Sequence, residues 1–233
     1  MMKLKVSKQI FDRYPQVEIG IVTVKNACNF NKGEEIQNLL RKAEEKIRER
    51  ISEEKVLEVP EVIKLREIYQ SFGAKPRDYR SSIEALIRRV AKGNNLPRIN
   101  PLVDLYNYIS LEYILTAGGE DTNRVKGDLI LDFANGGETF IPLGSNENSS
   151  PWGGEVVYKD DEGVICRCWN WREGDRTKLT EKTENAVLVL EDFNENSEKL
   201  LSALKELKSL IEKYCEADCE IKVINKENPE GEI

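Results

Sequence analysis

The chain of 233 residues contains no histidine. This absence excludes every mechanism that needs an imidazole as general base or as metal ligand. Long apolar runs are also missing, and none approaches the roughly 20 residues that a bilayer-spanning helix needs. The N-terminal MMKLKVSKQIF lacks the apolar core of a signal peptide. We therefore expect a cytoplasmic protein with no membrane partner.

Cysteine is present but lacks the patterns that would give it a role. The five cysteines, an odd number, favour a reducing compartment. Neither Cys166-x-Cys168 nor Cys215-x-x-x-Cys219 has the usual spacing of a zinc site, and no histidine can complete one. Packing thiols are the favoured interpretation, and we expect neither a metal nor a cofactor. No Walker-type phosphate loop or G-x-S-x-G elbow supports ATP-dependent or serine-hydrolase chemistry.

The net charge of −7 is unevenly distributed along the chain. Residues 1–110 carry 21 basic and 15 acidic side chains, whereas residues 111–233 carry 14 and 27. A basic cluster in the first part comprises Lys75, Arg77, Arg80, Arg88, Arg89 and Lys92. Such a cluster can hold a phosphate backbone in a salt-dependent way, and a solvated helix face explains it equally well.

Hydrophobic periodicity predicts helices first and strands afterwards. A strand is expected at 16–24, and helices at 31–51 with Asn31 as N-cap, from Pro60 to near Gly73, at 80–92, and from Asn100 onward. Further strands are expected at 128–133, 139–142, 155–158, 164–169 and 186–190. A last helix should run from Glu195 or Asn196 to about Tyr214, before a closing strand at 220–224.

This order predicts an α+β fold, with layered helices packed on mixed or antiparallel β-sheets. One domain is expected over residues 1–225, with a helical N-terminal part of about 95 residues and a β-rich C-terminal part. Residues 226–233 are expected to form a frayed polar tail.

The segment 100–121, NPLVDLYNYISLEYILTAGGED, is the most informative one. It is typical of an amphipathic helix that runs into a loop. Gly118 and Gly119 allow a backbone to approach a ligand closely, and their amides could stabilise an oxyanion; a helix-ending turn is the alternative. Glu120 and Asp121 point opposite ways on an extended chain, so Glu120 is expected to face the site and Asp121 to cap the next segment.

Two further groups of residues allow two interpretations each. Asp104 and Asn107 share a helical face and either line a pocket or tie the helix to a sheet. In the segment 167–177, arginines surround Trp169 and Trp171, which would share one face of a strand. Such aromatics either stack on bases beside Arg172 or form a core edge with snorkelling arginines.

The segment 100–121 resembles the editing module (B-three/B-four) of the phenylalanyl-tRNA synthetase β subunit. That module has approximately the pattern N-x-V-V-D-x-T-N-Y-x-x-L-E-L-G-Q-P-x-H-A-F-D. The matching positions are Val103, Asp104, Asn107, Tyr108, Leu111, Glu112 and Asp121. Residues 127–144 and 183–191 look like the strands that follow in the module. The chain looks like a free-standing version, since such relatives carry GGED and RCWNWR-like segments.

The resemblance implies a β-sandwich-like core and hydrolysis of a wrongly attached amino acid from a tRNA. The module's active-site histidine falls on Gly118, and its tyrosine-recognising glutamate falls on Glu191. Catalytic roles are therefore expected for Gly118, Gly119 and Glu120, with a water oriented by amides and carboxylates. Amino-acid binding is expected from Asn107, Asp121, Asn170 and Glu191, and RNA binding from Lys75, Arg77, Arg80, Arg88, Arg89 and Arg172.

Two other functions are compatible with the same residues. The chain could bind RNA or a free amino acid without hydrolysis, or it could be an accessory subunit of a synthetase complex. Aminoacylation by this chain alone is not expected, because it has no counterpart of the synthetase catalytic core. The expected partners are the aminoacylated end of a tRNA and an aminoacyl-tRNA synthetase.

Overall fold

The computed structural model describes residues 2–30, 33–194 and 197–233. Within these ranges, ten β-strands form two sheets and six α-helices pack around them. The strands are β1 Lys3–Val6, β2 Glu18–Lys25, β3 Thr116–Asp121, β4 Leu129–Phe133, β5 Val156–Asp160, β6 Gly163–Arg167, β7 Arg172–Glu173, β8 Ala186–Asp192, β9 Asp218–Ile224 and β10 Glu230–Glu232. The helices are α1 Lys8–Arg13, α2 Glu34–Arg50, α3 Pro60–Ser71, α4 Ser82–Ala91, α5 Pro101–Tyr113 and α6 Ser197–Cys215.

One sheet is mixed and the other is antiparallel. The six-stranded sheet has the order β10-β1-β4-β5-β6-β7, with β1 parallel to β4 and all other neighbours antiparallel. The four-stranded sheet has the order β3-β8-β2-β9 and is antiparallel throughout. The predicted α+β class, with helices layered on mixed and antiparallel sheets, is confirmed.

Helix α6 covers the face of the four-stranded sheet that lies away from the six-stranded one. It packs so closely on Gly20 of β2 that a Cβ at this position would lie 2.6 Å from Leu204. The hydroxyls of Tyr108 and Tyr113 in α5 donate to the Glu206 carboxylate of α6, at 2.8 and 2.6 Å. The two helices therefore form one layer that supports the sheet from outside.

The helix predictions are confirmed where capping residues mark the ends. The Asn100 side chain accepts a hydrogen bond from the Val103 amide at 3.1 Å, and Pro101 occupies the first turn of α5. Ser81 caps α4 in the same way, and α3 begins at Pro60 as predicted. The predicted N-cap Asn31 and the predicted helix start at Glu195 or Asn196 lie outside the described residues.

Several strand and loop predictions are wrong. Residues 116–121 form β3 rather than a loop after α5, because the glycines pair with β8 in regular register. Residues 139–142 contribute only an isolated bridge, from Pro142 to Gly174. The polar tail is not frayed as a whole, since β10 pairs with β1 through backbone hydrogen bonds, forms the edge of the sheet, and needs no apolar side chains.

The predicted strand 164–169 ends at Arg167. Cys168 and Trp169 have φ angles of 44° and 65°, a left-handed conformation that reverses the chain into β7. Trp169 and Trp171 therefore do not share a face of one strand. The Trp169 side chain is fully buried, whereas Trp171 remains partly exposed.

No helix in the described part of the chain is long and apolar enough to span a bilayer. The hydrophobic core includes side chains of both sheets and of α1 to α6. It also surrounds the cavity described next.

Candidate functional site

A narrow cavity lies between the two sheets. The space that the centre of a water-sized sphere can reach inside it is ≈ 30 Å³, which is room for about two water molecules. The four-stranded sheet contributes Ala117, Gly118, Gly119, Glu120, Val189 and Glu191, and the other side contributes Leu129, Tyr158, Cys166, Trp169, Asn170 and Glu173. Three carboxyl groups line the cavity, and no lysine or arginine is among the described residues of its wall.

Glu191 is held by four hydrogen-bond donors. Its Oε1 accepts from the Tyr158 hydroxyl at 2.6 Å and from the Trp169 indole at 2.8 Å. Its Oε2 accepts from the Thr116 hydroxyl at 2.8 Å and from the Asn170 amide at 2.7 Å. A carboxylate has about four lone-pair sites, so a ligand that binds Glu191 directly must displace a protein donor. Burial raises the pKa of Glu191, and the four donors oppose that effect.

The left-handed turn at Cys168 and Trp169 places the cavity residues of the hairpin. Two successive non-glycine residues in this conformation are strained and persist only where their surroundings hold them. Here the Cys168 amide donates to the Glu155 carboxylate at 2.9 Å, and the Trp169 amide donates to the Val156 carbonyl at 2.7 Å. The turn directs the Trp169 indole and the Asn170 amide to Glu191.

Strand geometry limits what the two glycines of β3 can do. Adjacent amides of a strand point in opposite directions, so the N–H groups of Gly118 and Gly119 cannot converge on one oxygen. The Asp121 N–H points away from β8, to the Thr177 carbonyl at 2.8 Å. The Gly119 N–H must therefore point to the same open edge, and the Gly118 N–H towards β8. One amide at most, rather than the expected pair, faces a ligand.

A carboxyl pair occupies the cavity wall beside Gly118. Glu120 is 6% exposed, and its side chain contacts those of Glu173 and Thr177. Burial and the neighbouring Glu173 carboxylate raise the pKa of Glu120 well above its usual range. Burial also raises the pKa of Glu173, and its buried Oε2 accepts no hydrogen bond from the described residues. A Cβ on Gly118 would lie 2.9 Å from Glu173 Oε1, so glycine at this position lets the Glu173 carboxyl group pack against β3.

The cavity brings together only part of the predicted site. Gly118, Gly119, Glu120, Asn170 and Glu191 all line it, whereas Asn107 and Asp121 do not. As expected, Asp121 points away from Glu120: it accepts from the Asn123 amide and the Thr183 hydroxyl.

The α5 residues predicted near Asn107 have structural partners. Asp104 accepts a hydrogen bond from the Ile99 amide at 3.0 Å, before the start of its own helix. Tyr108 holds α6 through Glu206. These contacts favour a structural role for Asp104 and Tyr108 over a role in lining a pocket.

Glu173, Tyr158 and Thr116 also reach this site, and sequence patterns did not single them out. Cys166, which was expected only to pack, lines the cavity as well. Glu173 meets Glu120 from 53 positions along the chain, and only sheet pairing brings the two together. Burial and the neighbouring glutamates raise the pKa of the Cys166 thiol far above its usual range. A protonated thiol is a poor nucleophile, so we assign Cys166 a packing role.

The basic cluster separates into two groups. Lys75, Arg77 and Arg80 are exposed in the α3–α4 connection and make no ion pair with the described residues. The others have partners: Arg88 pairs with the buried Glu84, Arg89 donates to the Asn95 carbonyl, Lys92 pairs with Glu53, and Arg172 donates to the Leu143 carbonyl. We call Lys75, Arg77 and Arg80 the basic connection.

The basic connection lies beside the cavity and beside a group of aromatic rings. The side-chain Oδ1 of Asn170 accepts from the Ser82 amide at 3.4 Å, immediately after the connection. Within the connection, the Tyr79 ring packs edge-on against Trp152 and Trp171, with centroids 5.3 and 4.7 Å apart. The indoles of Trp152 and Trp171 remain partly exposed, and Lys75 lines the same surface depression as Tyr79 and Trp152.

The Arg167 guanidinium packs against the indoles of this aromatic group. Its guanidinium lies 5.6 Å from the centroid of the Trp152 ring and 5.8 Å from that of Trp171. The side chain is 5% exposed and forms a two-point ion pair with Glu155. Arg167 therefore does not snorkel to solvent, and the indoles have a fixed orientation.

No group of three or more cysteine, aspartate or glutamate side chains in the described ranges is placed to hold a metal ion.

Comparison with known proteins identifies the family. The sequence model of the B3/4 domain matches residues 64–218. The chain belongs to the B3/4 domain family. The matched region includes every residue of the cavity wall and the basic connection.

Two relatives place this B3/4 domain among larger proteins. The phenylalanine–tRNA ligase β subunit of Psychrobacter arcticus is 30% identical over 111 residues, which cover 48% of this chain and 13% of that protein. An N-terminal fragment of the phenylalanyl-tRNA synthetase β subunit from Pyrococcus horikoshii aligns with 93% of this chain and 49% of the fragment. That alignment has a TM-score of 0.47 and 13% identity. The chain thus spans less than half the length of each relative.

Proposed function

We propose that this protein binds the aminoacylated end of a tRNA in the cavity between its sheets and hydrolyses the ester of a wrongly attached amino acid. The observation that carries the proposal is the Glu120–Glu173 carboxyl pair, which packs against the glycine backbone of β3 in the cavity wall. The relative from Psychrobacter arcticus, a tRNA ligase subunit by name, supports tRNA as the ligand.

The pair can supply the acid–base chemistry without histidine. A carboxyl group whose pKa is raised towards neutrality can take a proton from water or give one to a leaving group. The water oxygen attacks the ester carbonyl carbon while the Glu120 carboxylate accepts its proton. The bond to the ribose oxygen then breaks, and this oxygen takes the proton from the Glu120 carboxyl group. The products are a free amino acid and a tRNA with a free terminal hydroxyl.

The basic connection supports an RNA ligand beside the cavity. Lys75, Arg77 and Arg80 provide positive charge that no protein carboxylate neutralises in the described structure. The oriented indoles of Trp152 and Trp171 can stack on unpaired bases, as aromatic residues do in proteins that bind single-stranded RNA. The overall acidic charge disfavours loose contacts elsewhere.

We expect the purified protein to accelerate ester loss from one class of mischarged tRNA in a panel of correctly and wrongly charged tRNAs. Glu120→Gln should slow this reaction by about 100-fold or more, because it removes the proton acceptor. Glu147→Gln, which removes the same charge from an exposed loop position, is the control and should retain the wild-type rate. Radiolabelled amino acid remaining on the tRNA measures both.

An unchanged rate in Glu120→Gln would remove this residue from the mechanism. A folded wild-type protein that binds charged tRNA but accelerates no ester loss across the panel would instead select the non-catalytic binder. Co-purification of a synthetase with either result would support an accessory subunit.

Replacing Lys75, Arg77 and Arg80 together by alanine should weaken tRNA binding about 10- to 100-fold at physiological salt. The reason is that each lost phosphate contact also removes about one released counterion. The slope of log affinity against log salt should therefore become shallower by about two to three. Filter binding at several salt concentrations measures both quantities.

The matched control removes three exposed cations elsewhere, at Lys42, Lys205 and Lys226. If both triple variants lose affinity equally, the effect follows net charge, and the basic connection is not the binding surface.

A further inference from the structure

The proposed hydrolysis assigns the proton transfer to Glu120 and gives Glu173, the second carboxyl group of the pair, no step of its own. Glu173 lies on β7, opposite the β3 wall, and its carboxyl group reaches the space next to Gly118. One oxygen faces Glu120, and the other, Oε2, is buried without a hydrogen-bond partner in the described structure. A buried carboxylate oxygen in this state is costly unless a ligand or a proton satisfies it.

The surroundings of Glu173 favour a cation. The titratable groups around it are Glu120, Glu191, Cys166, Tyr106 and Tyr158, and the Cys166 thiol also hydrogen-bonds to it. Cys166 is a neutral thiol, and Glu191 already uses its acceptor sites on four protein donors. Arg176 is the nearest cation to influence the pair, but it is bound by the Asp160 carboxylate at 2.6 Å. The cavity thus combines excess negative potential with an unused acceptor.

We propose that Glu173 binds the α-ammonium group of the aminoacyl moiety and so makes the protein selective for aminoacyl esters with a free amino group. This inference rests on the proposed function. An ester whose nitrogen is acylated has no positive charge and only one N–H donor, so it would leave the Glu173 carboxylate unneutralised.

Ammonium binding also prepares Glu120 for its role. Without ligand, the two carboxyl groups repel each other as anions and retain a proton between them. A positive charge placed beside Glu173 favours the doubly ionised pair, and the proton is released to solvent. Glu120 is then a carboxylate and can accept the proton of the attacking water. An N-acylated ester does not trigger this release, so peptide-carrying tRNA would be spared.

The test compares one aminoacyl-tRNA with the same molecule N-acetylated, each rate divided by its spontaneous hydrolysis rate. We expect the wild-type protein to prefer the free amine by at least about 100-fold. Glu173→Gln should lose most of the acceleration on the free amine and leave the N-acetylated rate unchanged, so that the preference falls below about 10-fold. Glu147→Gln should keep the wild-type preference.

Binding of a non-hydrolysable 3′-amide analogue of the aminoacyl end, with its amine free or acetylated, separates this inference from the hydrolase proposal. Tight binding of the free-amine form, lost in Glu173→Gln, supports the ammonium site even if no ester is hydrolysed. Hydrolysis with equal acceleration of both esters overturns the ammonium site and keeps the hydrolase. Absence of both hydrolysis and amine-selective binding overturns both.

Discussion

Glu155→Ala is expected to lower the free energy of unfolding by about 3–5 kcal/mol, because it leaves a buried guanidinium without its counter-charge. Glu155 is fully buried and Arg167 is 5% exposed. The two-point pair joins Nε to Oε1 at 2.9 Å and Nη2 to Oε2 at 2.8 Å. Removing the partner costs more than such a pair contributes, since the remaining charge cannot reach water.

The same substitution also frees the strained turn. The Cys168 amide loses its acceptor on Glu155, and the left-handed conformation of Cys168 and Trp169 loses one of its restraints. Urea denaturation followed by tryptophan fluorescence measures the change. Lys8→Ala is the control, because it breaks an exposed pair with Asp12 and should cost about 0.5 kcal/mol or less.

A double substitution separates the cost of the unpaired charge from the cost of the altered side-chain packing. Glu155→Leu alone should be strongly destabilising, and adding Arg167→Met should recover part of that loss by removing the stranded charge. If Glu155→Ala lowers the free energy of unfolding by less than about 1 kcal/mol, or if the double variant recovers no stability, the ion pair is not excluded from water as the structure indicates.

Glu191→Leu is expected to cost about 3 kcal/mol or more, because four buried donors lose their acceptor at once. A buried polar group left unsatisfied costs about 1–3 kcal/mol, although the donors can partly rearrange. Of these donors, the Trp169 indole is fully buried and the Tyr158 side chain nearly so. The affected groups belong to both sheets, so loss of stability and loss of cavity function should occur together.

Thr116→Val is the matched control for Glu191. It removes one donor and keeps the size of the side chain, so it should cost about 1 kcal/mol. Thermal and urea denaturation measure both variants. If Glu191→Leu is no more destabilising than Thr116→Val, water reaches the donors and the hydrogen-bond network is open to solvent.

The helices could be predicted because their signals are local. Apolar side chains repeat with the helical period along α3 to α6. Asn100 and Ser81 mark helix starts by side-chain hydrogen bonds within three residues, and Pro101 does so by its fixed φ angle. A loop was the wrong prediction for segment 116–121, because paired glycines and acids are typical of loops. They form a strand because β8 supplies the backbone hydrogen-bond partners. Glycine is also needed for packing, since a Cβ on Gly119 would lie 2.4 Å from Leu188.

The site was predictable only where the resemblance or a local motif pointed to it. Glu120, Asn170 and Glu191 were found in this way, and all three line the cavity. Glu173 was not, because its significance depends on a contact between β7 and β3 that no local pattern encodes. The left-handed turn at Cys168 and Trp169 was also missed, since non-glycine residues rarely adopt that conformation.

The position of Glu191 has a consequence for the selectivity of the cavity. The residue lies on β8, whereas Tyr158 and Trp169 reach it from the six-stranded sheet and its hairpin. The network is thus a non-covalent cross-link that fixes the spacing of the two walls before any ligand arrives. A preformed site loses little conformational entropy on binding, but it cannot widen to accept a larger side chain. Under the proposed function, the range of amino acids that the cavity accepts should therefore change through the residues that fill the gap, and not through movement of the sheets.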